Sequence, residues 1–282
     1  MKISHFDAIA FDYDDAFSHS LIGQQQRVAA RRWLNEFLSG KGALRILEIN
    51  CGTGEDAIWL ASLGHDVLAT DQSEAMIDEA KQKISSSSGN GQLNSEVKIA
   101  GSSKGRVNFV ACGFAELETA FQGEQFDLIF SNFSGLNCVS PAELSELGGQ
   151  FHRLLRLQGH LVVVLFGKYC WMETSYFLLK ANFREAFRRW SNKEAPVRLK
   201  EAVYQPVYYY SLNRFVQILG HFQLIQKRPV GLFIPPSYLE GSMQKRQAFF
   251  RLLVRLEAMS GRFRKSSELA DHMYILLQNE DK

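Results

Sequence analysis

The sequence predicts an α/β fold, a mostly parallel sheet with helices on both faces. Three observations predict it. Short apolar runs alternate with helical patterns from residue 44 onward. The run Leu161–Phe166 is apolar throughout, as a strand buried on both faces requires. The stretch Arg45-Ile46-Leu47-Glu48-Ile49-Asn50-Cys51-Gly52-Thr53-Gly54-Glu55-Asp56-Ala57 reads as a buried strand, a tight glycine turn and a helix start, which places bare backbone against a small ligand.

The elements follow in order. Residues 1–39 form a lead-in, first irregular or helical with Phe6, Phe11, Tyr13 and Phe17. Gln24–Leu38 then has helical spacing, with Val28, Trp33, Leu34, Phe37 and Leu38 apolar and Gly40 and Gly42 as its stop. Residues 40–166 hold the alternating part: strand Leu44–Ile49, helix Glu55–Leu63 closed by Gly64, strand Asp66–Thr70, and helix Ser73–Lys83 with Ser73 and Glu74 at its start. Ser85–Arg106 is Ser/Gly/Asn-rich and reads as a surface loop. Strands Val107–Ala111 and Phe126–Ser131, helix Pro141–Arg156 and strand Leu161–Phe166 complete this part. Residues 167–210 change character: Trp171–Trp190 is aromatic and helical, and Pro206–Tyr210 looks like a strand. Residues 211–282 return to alternation, with helix Leu212–Leu219 ended by Gly220 and strand Phe222–Lys227, extendable to Ile234, before the turn at Pro235-Pro236. Helix Met243–Ser260 and strand His272–Leu277 close the pattern.

A chain of 282 residues, 46% hydrophobic, can bury a large core, and it reads as a single domain over 1–282. The formal charge of +2 gives no global reason to expect nucleic acid as a partner. Cys51, Cys112, Cys138 and Cys170 form no CxxC pair and no His/Cys ligand spacing, so free thiols in a reducing compartment and no metal are expected. The first seven residues lack a signal-peptide core, and no apolar run approaches the roughly 18 residues that span a bilayer. A cytoplasmic location is the expectation.

Gly52-Thr53-Gly54-Glu55-Asp56-Ala57 fits G-x-G-x-x-G/A, so an NAD-dependent oxidoreductase is one reading. The local charge argues against it. A diphosphate would sit on the helix N-terminus, where Glu55 and Asp56 would repel it. They suit a zwitterionic or cationic ligand, such as the methionine portion of S-adenosyl-L-methionine (SAM).

Glu48-Ile49-Asn50-Cys51-Gly52-Thr53-Gly54 resembles the first motif of class I SAM-dependent methyltransferases, an acidic residue followed by x-G-x-G-x-G. The resemblance is strong over residues 40–166 and weaker to residue 277. It implies a Rossmann-like, mostly parallel seven-stranded sheet with an aromatic-rich helical cap inserted after the fifth strand. It also implies SAM as cofactor and methyl transfer as activity. Asp71 matches the acidic residue that holds the ribose hydroxyls, and Gln72 and Met76 fall beside the adenine. Cys112, Gly113 and Phe114 match the adenine-contacting segment, and Ser131, Asn132 and Phe133 the motif beside the methyl group. Tyr13 and Phe17 resemble lead-in residues that cover the methionine end; equally, they could pack the lead-in onto the sheet.

Three departures stand out. Asn50 replaces the first glycine, and Asn tolerates a left-handed backbone; its side chain would project toward the ligand or cap the loop. Gly113 stands where an aspartate usually meets the adenine amino group. Ser131-Asn132-Phe133 is not the Asn/Asp-Pro-Pro-Tyr/Phe signature of exocyclic-amine methylation in nucleic acids.

Methyl transfer from a sulfonium asks chiefly for orientation and exclusion of water, worth roughly 7–11 kcal/mol in favourable cases. No triad is needed, and the sequence offers none. His19, in the lead-in, and Tyr13 are the candidate catalytic residues; for His19 the alternative is a solvated or capping role. Tyr169, Trp171, Tyr209 and Tyr238, with Phe17, are the candidate contacts for a small hydrophobic or aromatic acceptor, the alternative being a core for a small helical layer. The helix near 243–263 combines Phe249, Phe250, Leu252, Leu253, Leu256 and Met259 with Lys245, Arg246, Arg251 and Arg255. It is a candidate contact for anionic lipid or an acidic carrier protein, or simply a covering helix. A non-catalytic SAM-fold binding protein is the reading from another class.

Overall fold

Periodicity two in the strands and apolar stripes in the helices place a sheet between two helical layers. The computed structural model describes residues 5–87, 97–98, 105–200 and 203–280. In chain order the strands are β1 (Arg45–Ile49), β2 (Asp66–Asp71), β3 (Val97–Lys98), β4 (Arg106–Ala111), β5 (Phe126–Ser131), β6 (Leu155–Phe166), β7 (Ala195–Lys200), β8 (Val203–Val207), β9 (Phe222–Val230) and β10 (His272–Asn279). The helices are α1 (Leu21–Leu38), α2 (Glu55–Ser62), α3 (Glu74–Ser87), α4 (Leu117–Ala120), α5 (Pro141–Leu154), α6 (Trp171–Leu179), α7 (Phe183–Ala186), α8 (Leu212–Leu219), α9 (Glu240–Lys245) and α10 (Gln247–Ala258).

The main sheet runs β3-β4-β2-β1-β5-β6-β10-β9. β4, β2, β1, β5 and β6 are mutually parallel, and β10 inserts antiparallel between β6 and β9. Seven of these strands are the expected ones. The eighth is the two-residue edge Val97–Lys98, antiparallel to β4, inside a segment read as loop; most of that segment lies outside the described residues. Alternate residues of one strand serve opposite layers. Ile46, Leu128 and Val162 face α1, α2 and α3, whereas Leu47, Ile129 and Leu161 face α5 and α8.

Local chemistry explains the element ends. Ser20 Oγ accepts from Gly23 N at 3.0 Å and starts α1 three residues earlier than the spacing suggests. Ser140 and Glu143 form a capping box with Pro141 at the first position of α5. The expected helix 243–260 is two helices, because Arg246 leaves helical geometry between α9 and α10 (φ −124°, ψ 48°). The segment after β6 is not purely helical. After α6 and α7 it forms the hairpin β7–β8, a separate two-stranded sheet, and Tyr208–Tyr210 lies beyond its end.

A buried ionic cluster fastens α6 and α7 to the sheet. Arg189 donates to Glu173 Oε2 and Asp271 Oδ1, each at 2.8 Å, and Arg188 donates to both Glu173 oxygens. Gln26 of α1 donates to Asp271 Oδ2 at 2.7 Å. Burial opposes ionisation of Glu173 and Asp271, but the Arg189 guanidinium outweighs it and holds both below the usual carboxylate range. Depressed carboxylates stabilise the fold above their unfolded-state values and lose that contribution as pH falls through the folded ones. Arg189→Met leaves two buried carboxylates short of a partner, and urea unfolding at neutral pH should register a loss of about 3–5 kcal/mol. Arg188→Met should cost less, since Glu173 keeps Arg189, and the gap between the two variants should narrow in acid.

Candidate functional site

A cavity of about 1230 Å³ opens at the carboxyl ends of the central strands. Strand order reverses at β1, between β2 and β5, which is where open α/β sheets bind ligands. The turn after β1 forms its wall. Gly52 (φ 53°) and Gly54 (φ 79°) are left-handed. At Gly54 a Cβ would lie 2.6 Å from the Phe109 ring, so glycine is required for α2 to pack on β4. Asp71, ending β2, binds this turn: Gly52 N donates to Oδ2 and Ser73 N to Oδ1, both at 2.9 Å. Burial still pushes the Asp71 carboxyl up, against those two amides.

Asn50 is left-handed (φ 52°), and its side chain does not cap its own loop. Nδ2 donates to Asn132 O at 2.8 Å, and Ser131 Oγ donates to Oδ1 at 2.6 Å. These bonds join the ends of β1 and β5. Gly135 makes room, since a Cβ there would lie 2.2 Å from Asn50 Cγ.

Glu48, at the cavity, is 2% exposed, and its Oε2 meets no hydrogen-bond partner. Burial, then the neighbouring Asp56 carboxylate, push its pKa well above the usual range, with Arg27 and Arg31 opposing. Asp56 is also buried, yet Arg27, Arg31 Nε (2.7 Å) and Asn132 Nδ2 (2.7 Å) bind it. Burial opposes its ionisation, and the two guanidiniums hold its carboxyl down nonetheless. Glu55 contacts Lys83 Nζ at 2.9 Å. The pair Glu55-Asp56 therefore does not face the cavity as bare charge, and the case against a diphosphate rests on a wider set. Ten lining residues are Asp or Glu, and Arg27 alone is Lys or Arg.

The lead-in closes one side. Thr53 Oγ1 donates to Asp14 Oδ1 at 2.6 Å, Lys83 pairs with Asp14, and Ser73 Oγ donates to Asp7 Oδ1 at 2.5 Å. These bonds bring Tyr13 over Gly52, where a glycine Cβ would lie 3.9 Å from Cε1. Burial pushes the Tyr13 phenol up to about 12, with the Arg27 charge opposing, so it is a neutral donor at ordinary pH. Burial likewise pushes Cys138 to about 12, Cys112 to about 11 and Cys51 well above the ordinary thiol value. None is a thiolate nucleophile at neutral pH.

The cavity brings together Tyr13, Glu48, Asn50, Cys51, Gly52, Thr53, Asp71, Gln72, Met76, Cys112, Gly113, Phe114, Asn132 and Phe133. Gly54 and Ser131 stand behind the wall, in packing and in the Asn50 bond. Phe17 packs tilted against Tyr13 at 5.2 Å without lining the cavity. His19 also lies outside the lining, with Nε2 3.9 Å from Glu55 and Nδ1 3.8 Å from Asp15. Asp14, His19 and Glu55 approach one another closely enough for a cation, but Lys83 already binds both carboxylates.

The aromatic residues after β6 lie elsewhere. Tyr169 packs on Trp190 (5.3 Å), and Trp171 donates to Leu232 O (2.6 Å). Tyr209 is buried against Phe166 and Arg189, and Tyr238 packs on Tyr176 and Phe177. The cause is the path of α6, which packs through Met172 on Met243, Phe250 and Leu253 of α9 and α10. Hairpin β7–β8 is the part of this segment at the cavity, through Gln205, which contacts His5 at 3.2 Å.

Several lining residues escaped sequence reasoning. Arg27 sits on the inward stripe of α1 beside Ala30 and Leu34, and a cation on such a stripe was the available signal. Asp7, Glu116 and the pair Glu143 and Glu146 of α5 converge from three separate segments, and no spacing links the three.

Known proteins resemble this chain in sequence and in fold. Residues 46–159 match the family model described as a methyltransferase domain. Over 82 residues the chain is 40% identical to the putative methyltransferase YqeM of Bacillus subtilis, covering 29% of this chain and 30% of that protein. Over 144 residues it is 27% identical to thiopurine S-methyltransferase of Rattus norvegicus, covering 50% of this chain and 59% of that one. The matches thus span less than two thirds of these relatives' length. In structure the chain resembles the CcbJ methyltransferase of Streptomyces caelestis, with TM-score 0.59, 15% identity and 99% of each chain covered. It also resembles the magnesium protoporphyrin IX methyltransferase of Synechocystis PCC 6803, solved with bound SAM, with TM-score 0.55, 14% identity, and 98% of this chain and 94% of that chain covered. At these identities the structural likeness concerns the fold.

Glu48 supplies a direct check on the charge of this site. A carboxyl raised by folding stabilises while neutral, below its unfolded-state value, and loses that contribution as pH rises through its folded value. Glu48→Gln keeps the neutral shape. Its stability relative to the parent should therefore climb with pH across that window, by about 1.4 kcal/mol per pH unit at most. Urea unfolding at stepped pH measures this, and parallel profiles would refute it.

Proposed function

We propose that this chain, whose residues 46–159 match a methyltransferase domain, is a class I SAM-dependent methyltransferase that acts on a small, largely apolar acceptor, neutral or cationic when bound. The observation that carries this reading is the cavity's charge: ten acidic residues, of which Glu48 is held toward its neutral form and Asp56 and Glu55 are ion-paired, leave seven others against the single lining guanidinium of Arg27. Such a field favours a cationic cofactor and repels an anionic acceptor or a diphosphate.

SAM suits these residues. Asp71, already holding the Gly52 turn, keeps acceptor capacity for ribose hydroxyls. Glu48 Oε2 has a free lone pair for an ammonium. Met76, Phe114 and Cys112 offer apolar contact to a flat base, and Glu116 supplies a carboxylate near Gly113, where the family's aspartate is missing. The bound cofactor supplies an electrophilic methyl group on a sulfonium.

The protein's own part is to bind, orient and keep water out. Tyr13 and Phe133 give apolar walls, and Phe133 is fixed from behind by an edge-on His272 ring at 5.5 Å. Asn132, bonded to Asp56 and holding Asn50 through its carbonyl, sets the Phe133 backbone. No thiolate takes part, and His5 is the one histidine at the cavity among the described residues. An acceptor that attacks as a neutral nucleophile needs no strong base.

Incubation with methyl-labelled SAM and a panel of apolar amines, thiols, phenols and carboxylates tests this. Methyl transfer should fall on neutral or amine members and spare the carboxylates; carboxylate methylation alone would contradict it. Asp71→Ala should weaken cofactor binding by about tenfold or more through loss of charged hydrogen bonds.

A further inference from the structure

We propose that the outer face of α10 and its continuation to Lys265 docks the protein on an anionic lipid surface. Two properties of this face carry the proposal. The first is exposed apolar area in a repeating pattern. Phe249 (48% exposed), Leu252 (51%) and Met259 (47%) recur at helical spacing, and Phe263 (45%), edge-on to Phe233, follows. The inward stripe is separate: Phe250 and Leu253, with Leu256 against them, join Met243, Ile22 and Ile234 in a core that does not include Phe249, Leu252 or Met259.

The second property is charge of one sign. Lys245, Arg246, Arg251, Arg255, Arg262 and Lys265 are exposed and form no ion pair among the described residues. The acidic residues nearby turn inward. Glu257 is buried and accepts from Gly231 N (2.9 Å) and Phe233 N (2.8 Å). Glu240 accepts from Leu21 N and Ile22 N, both at 2.9 Å, at the start of α1. The outward surface is thus basic and apolar with no carboxylate of its own segment, which is the chemistry that an acidic headgroup layer over hydrocarbon complements. Long basic side chains can reach phosphates while Phe249 and Leu252 enter the boundary.

A second apolar projection lies in the same helical layer. Between α6 and α7, Leu179 (90% exposed) and Phe183 (65%) flank a left-handed Ala181 (φ 52°), with Lys180 and Arg184 beside them. α6 is tied to α9 and α10 through Met172 and through Tyr238 on Phe177. No helix among the described residues is long and apolar enough to cross a membrane, so the contact is with the surface.

Sedimentation of the full chain with vesicles tests the proposal, independently of any methyl acceptor. The protein should partition onto phosphatidylcholine vesicles that contain phosphatidylglycerol, and far less onto phosphatidylcholine alone. Raised salt should weaken it. Arg251→Glu with Arg255→Glu should lower partitioning at least about tenfold. Phe249→Ser with Leu252→Ser should lower it at unchanged charge, with circular dichroism and thermal midpoint confirming the fold. Equal binding to neutral vesicles, no vesicle binding, or variants that partition like the parent would overturn it. So would saturable binding of polyglutamate to this face in place of vesicles, the mark of an acidic protein partner.

Discussion

A buried carboxyl group with one unsatisfied oxygen is the constraint around which the cavity is organised. Glu48 is next to last in the central strand, where two parallel neighbours exclude water on both sides, and one of its oxygens meets no donor. Leaving such a group unsatisfied is costly, and in a native fold it points to a ligand. The surroundings are built to tolerate it. Asp56, the next acidic group, is neutralised by Arg27 and Arg31 from α1, so two buried negative charges do not face each other uncompensated. The first long helix thus packs a core and also sets the charge of the cavity.

The same logic fixes the turn. Asp71 spends both oxygens on backbone amides of the two loops it joins, and Asn50 spends its amide on the end of β5. The loops at the carboxyl ends of β1, β2 and β5 are therefore bonded to one another before any ligand arrives. A site held in this way loses little freedom on binding.

Much of this was legible in the sequence. β1, the glycine turn and Asp71 are contiguous or separated by one helix, so their geometry follows from local rules. Asn50 was legible as an oddity, but its role was not, because its partners Ser131 and Asn132 lie some eighty residues away and only the pairing of β1 with β5 brings them close. Arg27 was visible only as a cation on the apolar stripe of α1, with nothing local to name Asp56 of α2 as its partner. The aromatic segment misled for a different one: Tyr169, Trp171, Tyr209 and Tyr238 are spaced as a pocket lining would be, and equally as the core of a helical layer. Sequence spacing could not tell which face of α6 turned toward α9 and α10. The split of the helix near 243–260 turned on one backbone angle pair at Arg246, which no propensity indicates.

The central claim is that the cavity takes a cationic nucleoside cofactor and not a diphosphate one. Calorimetric titration of the folded chain with SAM, S-adenosylhomocysteine and NAD, each at low and high salt, tests it most directly. SAM and S-adenosylhomocysteine should bind saturably, the cationic SAM with the steeper salt dependence, and NAD should give no heat. Binding of NAD without SAM, or equal salt dependence of the two adenosyl ligands, would contradict it.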